Sequence, residues 1–153
     1  MKPENLYHTG IIVDDIEAAK RWYTKVMGYR FSSTAGEGHE QLVELASGAK
    51  TISGMLIAYS LNEPRIELVS AIPGTIWQPT KAGVHHLGYW SEDVDGDLAN
   101  LLANGAEFEA KFKGPHGGLL WAYCKHPVWG RIELVGTMMK PMMEQWWAAD
   151  NVQ

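Results

Sequence analysis

The chain is poor in cysteine, in basic charge and in long apolar runs, and each shortage excludes something. With Cys124 as its only cysteine it can form neither an internal disulfide nor a cysteine-based zinc site. Any metal it holds must therefore sit on histidines and carboxylates. Lys and Arg number 13 against 18 Asp and Glu, giving a net charge of −5 and a pI of about 5.6. A phosphate-tracking surface is not expected, and nucleic acid is not expected as a partner. No apolar run approaches the roughly 20 residues that span a bilayer, and the opening MKPENLYH lacks the apolar core of a signal peptide. A cytoplasmic protein with no membrane partner is expected. No glycine-rich phosphate loop and no Ser-His-Asp arrangement stands out. What remains is 153 residues, 46% hydrophobic and 20% charged, the composition of one folded domain.

That domain is internally duplicated. Residues 6–28 and 84–105 each run from a short strand-like stretch holding a histidine, through paired acidic residues and a helical stretch, to a glycine. His8 and His86 are 78 residues apart, as are Asp15 and Asp93. The pentapeptide Arg-Ile-Glu-Leu-Val occurs at 65–69 and again at 131–135. The first helix is expected from a cap at Asp14 or Asp15, through Ile16, Ala19, Tyr23, Val26 and Met27, to a left-handed stop at Gly28. The second starts near Glu92–Asp93, carries Val94, Leu98, Leu101 and Leu102 on one face, and ends at Gly105. Gly96 inside it costs about 1 kcal/mol relative to alanine.

Strands are expected at Tyr29–Ser33, Glu40–Ala46, Ser53–Tyr59 and Arg65–Val69 in the first half. In the second they fall at Glu107–Lys113, Leu119–His126 and Arg131–Val135. Breaks lie at 36–38, 62–64, 114–118 and 127–130. The fold class is α+β: two β-α-β-β-β modules, about 5–72 and 83–136, whose sheets curve together around a cleft in one domain, 1–153. Ala71–Gly83 joins them. The tail 137–153, with Met138, Met139, Met142, Met143, Trp146 and Trp147, is expected to form a short amphipathic helix on the body or on a second subunit. An open sheet edge on each module makes a homodimer the expected form.

Glu67 and Glu133 sit inside the two Ile-Glu-Leu-Val runs, where a covered face would strip a carboxylate of its water. On a sheet with one wet face they would be ordinary outward charges beside Arg65 and Arg131. The histidines tip the balance. His8 and His86 lie on the first strand of each half, so a pseudo-two-fold axis brings two imidazoles and two carboxylates to one concave surface, a donor set that suits a divalent transition metal. Zinc, cobalt, nickel, manganese and iron(II) are all compatible with it. By strand alternation His85 faces away from His86. His116 belongs to a glycine-rich loop, His39 to an exposed turn, and His126 and Trp129 to the turn before the last strand. Cys124 reads as a buried small hydrophobe rather than a nucleophile.

His-Thr-Gly-Ile, then Val-Asp-Asp-Ile-Glu-Ala-Ala, Tyr23 and Met-Gly-Tyr, within the paired modules, resembles the vicinal oxygen chelate superfamily over about residues 5–136. This superfamily includes glyoxalase I, methylmalonyl-CoA epimerase, extradiol dioxygenases and drug-resistance proteins. The resemblance implies metal ligands at His8, Glu67, His86 and Glu133. Gly83-Val84-His85-His86-Leu87 is most similar to the methylmalonyl-CoA epimerase branch, which implies a strand carboxylate as proton-transfer base at the position of Glu44. Glu44 and Glu133 would then remove a proton from one face of a small carbonyl substrate and return it on the other. The expected function is a metal-dependent epimerase or isomerase. The alternatives are a glyoxalase I-like lyase acting on a thiol adduct and a non-catalytic binding or resistance protein. A fourth protein ligand weighs against an extradiol dioxygenase.

Overall fold

The computed structural model describes residues 1–150; the last three residues of the expected tail lie outside them. β1 (Leu6–Val13) leads into α1 (Ile16–Met27), which starts where Asp15 accepts a hydrogen bond from the Ala18 N–H at 2.8 Å and stops at left-handed Gly28. The second half repeats this with β6 (Val84–Ser91) and α2 (Val94–Ala103). Asp93 accepts from the Gly96 N–H at 2.9 Å, and a Cβ on Gly96 would come within 2.3 Å of the Asp93 carboxylate. The glycine that weakens the helix thus makes room for its cap.

The remaining strands are β2 (Glu40–Leu45), β3 (Gly48–Ser53), β4 (Ile57–Tyr59) and β5 (Ile66–Ser70), then β7 (Glu107–Lys113), β8 (Leu119–His126) and β9 (Gly130–Gly136). All nine form one curled half-barrel sheet in the order β3-β2-β7-β8-β9-β6-β1-β5-β4. β1 and β6, the first strands of the two halves, pair antiparallel, and each runs parallel to the last strand of its own half, β5 and β9. The two copies of the pentapeptide therefore flank the two histidine strands.

The second half follows the expected strands; the first departs from them. Tyr29–Ser33 is not a strand: residues 31–35 make only two isolated bridges, Phe31 to Ser60 and Ala35 to Ile57. The stretch expected at Ser53–Tyr59 is broken at Gly54, so that Ser53 ends β3 and Ile57 begins β4. The β2–β3 hairpin leaves its own half and joins the far edge, where Glu44 and Leu45 pair with Lys111 and Ala110 of β7. Positive φ angles at Gly36 and Gly38 turn the chain out, and a Cβ on Gly36 would meet the Met55 carbonyl oxygen at 1.9 Å.

The main core lies under the linker, where Trp77 is 1% exposed and packs edge-on against Trp121 and Tyr123. The tail forms α3 (Lys140–Asp150), which packs on the body of its own chain: Met143 is buried against Tyr59, Trp90 and Val135. Two contacts anchor its end. Ser33 donates from both N–H and Oγ to Asp150 at 2.8 Å, and the Arg65 guanidinium lies 4.0 Å from the centre of the Trp147 ring. Among the described residues no helix is long and apolar enough to cross a membrane.

Candidate metal centre and its cavity

The concave face brings His8, Glu67, His86 and Glu133 together, all four buried. The two Nε2 atoms stand 2.9 Å apart. Glu67 Oε2 lies 3.3 Å from His8 Nε2 and 3.0 Å from His86 Nε2, and Glu133 Oε2 lies 3.1 and 3.3 Å from the same atoms. Yet neither Oε2 is aligned for a hydrogen bond, so both are buried acceptors without a donor. Donors about 2.0–2.2 Å from a shared ion, at the angles of tetrahedral or octahedral coordination, sit roughly 2.8–3.6 Å from one another. The four residues fit a divalent ion on that spacing and on those orphaned oxygens.

Two glycines allow the approach. Each lies two residues after one histidine and directly opposite the other: His8 pairs with Gly88 and His86 with Gly10 across β1–β6. A Cβ on Gly10 would stand 1.8 Å from the His86 ring, and one on Gly88 would stand 1.9 Å from the His8 ring. The His-x-Gly spacing is visible in both halves of the sequence, although it pointed to no role there.

The same strand pair carries two irregularities, one at each histidine. The register skips Tyr7 between Leu6 and His8, and it skips His85 between Val84 and His86. Each skipped residue makes a bulge, which cancels the alternation that would have sent His85 to the other side. His85 is therefore buried beside His86, with its Nδ1 2.9 Å from His86 Nδ1 and its Nε2 2.8 Å from the Ile76 carbonyl oxygen. A carbonyl only accepts, so His85 Nε2 carries the proton and His85 Nδ1 is the acceptor. His86 then donates from Nδ1, which leaves the lone pair of its Nε2 facing the carboxylates.

The carboxylates are likewise matched. Tyr59 is the cross-strand partner of Glu67 and donates its hydroxyl to Glu67 Oε1; Tyr123 is the cross-strand partner of Glu133. Burial, then the nearby carboxylates, holds both phenols well above their ordinary range. Ala-Tyr precedes each pentapeptide, at 58–59 and 122–123, so the repeat carried this signal.

Without a cation the imidazoles supply the positive charge. Burial alone would raise the carboxyl of Glu67, but His8 and His86 hold it well below the usual range. Burial and then the charge of Glu67 act to raise Glu133, yet the close approach of His8 and His86 lowers it. Burial alone would lower His86, and its contacts with Glu133 and Glu67 instead push it up to about 9. His85 goes the other way, down to about 4, through burial and then the charge of Arg131. It is neutral at ordinary pH, as an acceptor must be.

The cluster opens into a cavity of about 560 Å³. Tyr59, Trp77, Trp121 and Tyr123 line it from the sheet and linker, Met142, Met143 and Trp146 close it from α3, and His39, Glu40 and Gln41 stand at its β2 side. Glu44 does not join them. Val43 and Leu45 take the buried face of β2, so Glu44 faces outward, half-exposed and paired with Lys111 at 3.0 Å. That placement does not fit the base role expected for it. His116 is exposed on its loop, and His126 accepts from the Val128 and Trp129 N–H groups within its turn. Cys124 is buried with its thiol pushed up to about 11 by burial and then Glu109, which suits a packing residue.

A sequence profile described as the glyoxalase/bleomycin resistance protein/dioxygenase superfamily matches residues 7–123. The chain belongs to that superfamily. No curated protein matches its sequence. Among solved structures, a hypothetical protein from Bacillus halodurans aligns over 86% of this chain and 92% of its own, with 19% identity and a TM-score of 0.53. A methylmalonyl-CoA epimerase from Mycobacterium tuberculosis aligns over 86% and 87%, with 21% identity and a TM-score of 0.50. One from Streptomyces coelicolor, solved in complex with 2-nitronate-propionyl-CoA, aligns over 86% and 93%, with 19% identity and a TM-score of 0.51. At these identities the likeness is one of fold, and the superfamily chain carries a His/Glu cluster suited to a metal.

Proposed function

We propose that the protein is a divalent-metal-dependent isomerase or epimerase that moves a proton at the carbon next to a carbonyl of a small substrate. The observation that carries this reading is the buried two-histidine, two-glutamate cluster with orphaned carboxylate oxygens at the wall of a substrate-sized cavity. A divalent ion held by His8, Glu67, His86 and Glu133 would supply Lewis acidity to two substrate oxygens and so acidify the carbon next to the carbonyl. Tyr59 holds Glu67 in place from its far oxygen. Glu133 is the more open carboxylate, its side chain 8% exposed against 3% for Glu67, and it takes the substrate proton and gives it back.

The outward placement of Glu44 favours a second reading within the same chemistry. Two-base epimerisation needs a proton donor on each face of the carbon, whereas a shift between neighbouring carbons on one face needs only Glu133. Such a shift is the glyoxalase type of isomerisation. The epimerases of like fold support proton transfer as the shared step.

Elemental analysis tests the site, and solvent deuterium tests the chemistry. One divalent ion per chain, lost in His8→Ala and in Glu67→Ala, is expected; a native protein that takes up none even after reconstitution would refute the metal centre. Glu133→Gln is expected to slow metal-dependent uptake of deuterium by about a hundredfold or more. Unchanged exchange would remove Glu133 from the reaction.

A further inference from the structure

Resting on that reading, we infer that the substrate is an uncharged, largely apolar ketone carrying a second oxygen on the adjacent carbon, of the aromatic α-hydroxyketone class, and neither a carboxylate nor an acyl-CoA.

The charge balance of the cavity points there. Among the described residues that line it, none is lysine or arginine, whereas Glu40, Glu67 and Glu133 are acidic. A divalent cation with two glutamates is already neutral. A substrate bound through a ketone and a hydroxyl oxygen keeps it so, while a carboxylate would add a buried negative charge with no lysine or arginine on the lining to meet it. Two cations outside the lining are engaged with other partners. Lys111 pairs with Glu44 at 3.0 Å, and Arg65 donates to the Ser60 carbonyl oxygen at 2.6 Å and to Glu63 at 2.7 Å while its guanidinium lies over Trp147. Holding a substrate carboxylate or a phosphate there would mean giving up these contacts.

The walls say what replaces charge. Met55, Phe112 and Trp121 line it, and α3 adds Met142, Met143 and Trp146. Thioether and aromatic surface of this kind suits a flat apolar body, since methionine adapts to irregular shapes and aromatic faces stack. α3 is also tied down. Trp146 Nε1 donates to Ser33 Oγ at 3.1 Å, and Ser33 donates to Asp150, so the helix is held over this side of the cavity. During turnover the α-proton passes to Glu133 and returns from it, so nothing is oxidised or reduced and no co-reactant is required.

Three probes of matched chemistry decide the matter: 2-hydroxy-1-phenylpropan-1-one, which is neutral; mandelate, which is similar in size but anionic; and methylmalonyl-CoA. Binding to the metal-loaded protein is read by calorimetry and by quenching of tryptophan fluorescence. The hydroxyketone is expected to bind tighter than either anion by on the order of a hundredfold, the factor that an unpaired buried charge imposes. Met142→Arg, at a side chain exposed enough to accept the charge, should reverse the preference between hydroxyketone and mandelate while leaving metal content unchanged. Equal or tighter binding of mandelate or methylmalonyl-CoA to the native protein, or no binding of the hydroxyketone, would overturn the inference. The two readings fail separately. A hydroxyketone that binds selectively but takes up no deuterium with any of the divalent metals supports the substrate class and removes proton transfer. Deuterium uptake by methylmalonyl-CoA, with the hydroxyketone unbound, removes the substrate class and keeps proton transfer.

Discussion

His85 touches neither substrate nor metal in the arrangement described, yet replacing it should cost the protein much of its metal affinity. Its Nδ1 is the acceptor 2.9 Å from His86 Nδ1, and its own proton is committed to the Ile76 carbonyl oxygen at 2.8 Å. In His85→Ala the His86 Nδ1–H is left buried with no acceptor, which costs about 1–3 kcal/mol. The imidazole can escape that cost by moving its proton to Nε2, the atom that must stay bare to bind a cation. Either way the bound state is disfavoured. Partners that orient a ligand histidine are generally worth about 10–100-fold in metal affinity, or roughly 1.4–2.7 kcal/mol. Competition against a chromophoric chelator would read that loss directly, and nitrogen-15 shifts of the histidines would report the tautomer of His86 independently of activity. His85→Asn, which restores an acceptor oxygen, should recover part of the affinity; a variant deficient merely in packing would not recover in this way. Metal affinity in His85→Ala within about twofold of the native protein, with the His86 tautomer unchanged, would refute the relay.

Two other perturbations separate geometry from charge. Gly88→Ala puts a methyl group where the His8 ring stands, 1.9 Å from the nearest ring atom, so the ring must leave the cluster. Metal content should fall sharply while the far-ultraviolet circular dichroism of the sheet persists; a fully metallated Gly88→Ala would show that the ring does not need that seat. In chelator-treated protein the His86 pKa is raised from 6.5 to about 9. The folded state therefore keeps a proton that the unfolded chain releases, and the stabilisation is complete below about pH 6.5 and lost as pH rises through about 9. Its size is on the order of 3 kcal/mol, so the Tm of metal-free protein should fall over that window, and a flat profile would contradict the buried His–Glu pairing. Metal-loaded protein should lack this fall, because the cation takes the place of the proton.

How far the sequence reveals this molecule depends on whether a residue obeys its strand. Helix boundaries came from caps that act locally: Asp15, Gly28 and Asp93 do what their side chains or backbone freedom dictate. The four cluster residues were legible because duplication placed two histidines and two glutamates at equivalent positions. His85 was not, because its direction is set by a bulge between β1 and β6, and pairing register across distant strands leaves no mark at a single residue. Glu44 faces away from the cavity for a related reason. Its strand belongs to a hairpin that docks on β7, a contact made 67 residues along the chain from Glu44 to Lys111, where Val43 and Leu45 supply the apolar side. Tyr59 and Tyr123 lay within reach of sequence reasoning, since Ala-Tyr precedes both pentapeptides, but a tyrosine in a strand reads first as core.

The duplication also explains why two similar halves supply unequal chemistry. Each half contributes one histidine and one glutamate, and in each half the residue before the histidine is extruded by a bulge. In the second half that residue is His85, which accepts from His86 and fixes its tautomer. In the first half it is Tyr7, whose ring packs edge-on against His8 with centroids 4.4 Å apart, while His8 Nδ1 is left without a hydrogen-bond partner. The carboxylates divide in the opposite sense. The first half pins Glu67 through the Tyr59 hydroxyl, and the second half leaves Glu133 more open to the cavity. A symmetric site would hold all four ligands with equal firmness and have none to spare. On the proposed reading Glu67 and His86, one from each half, would anchor a bound cation and leave Glu133 to exchange a proton without dismantling the cluster.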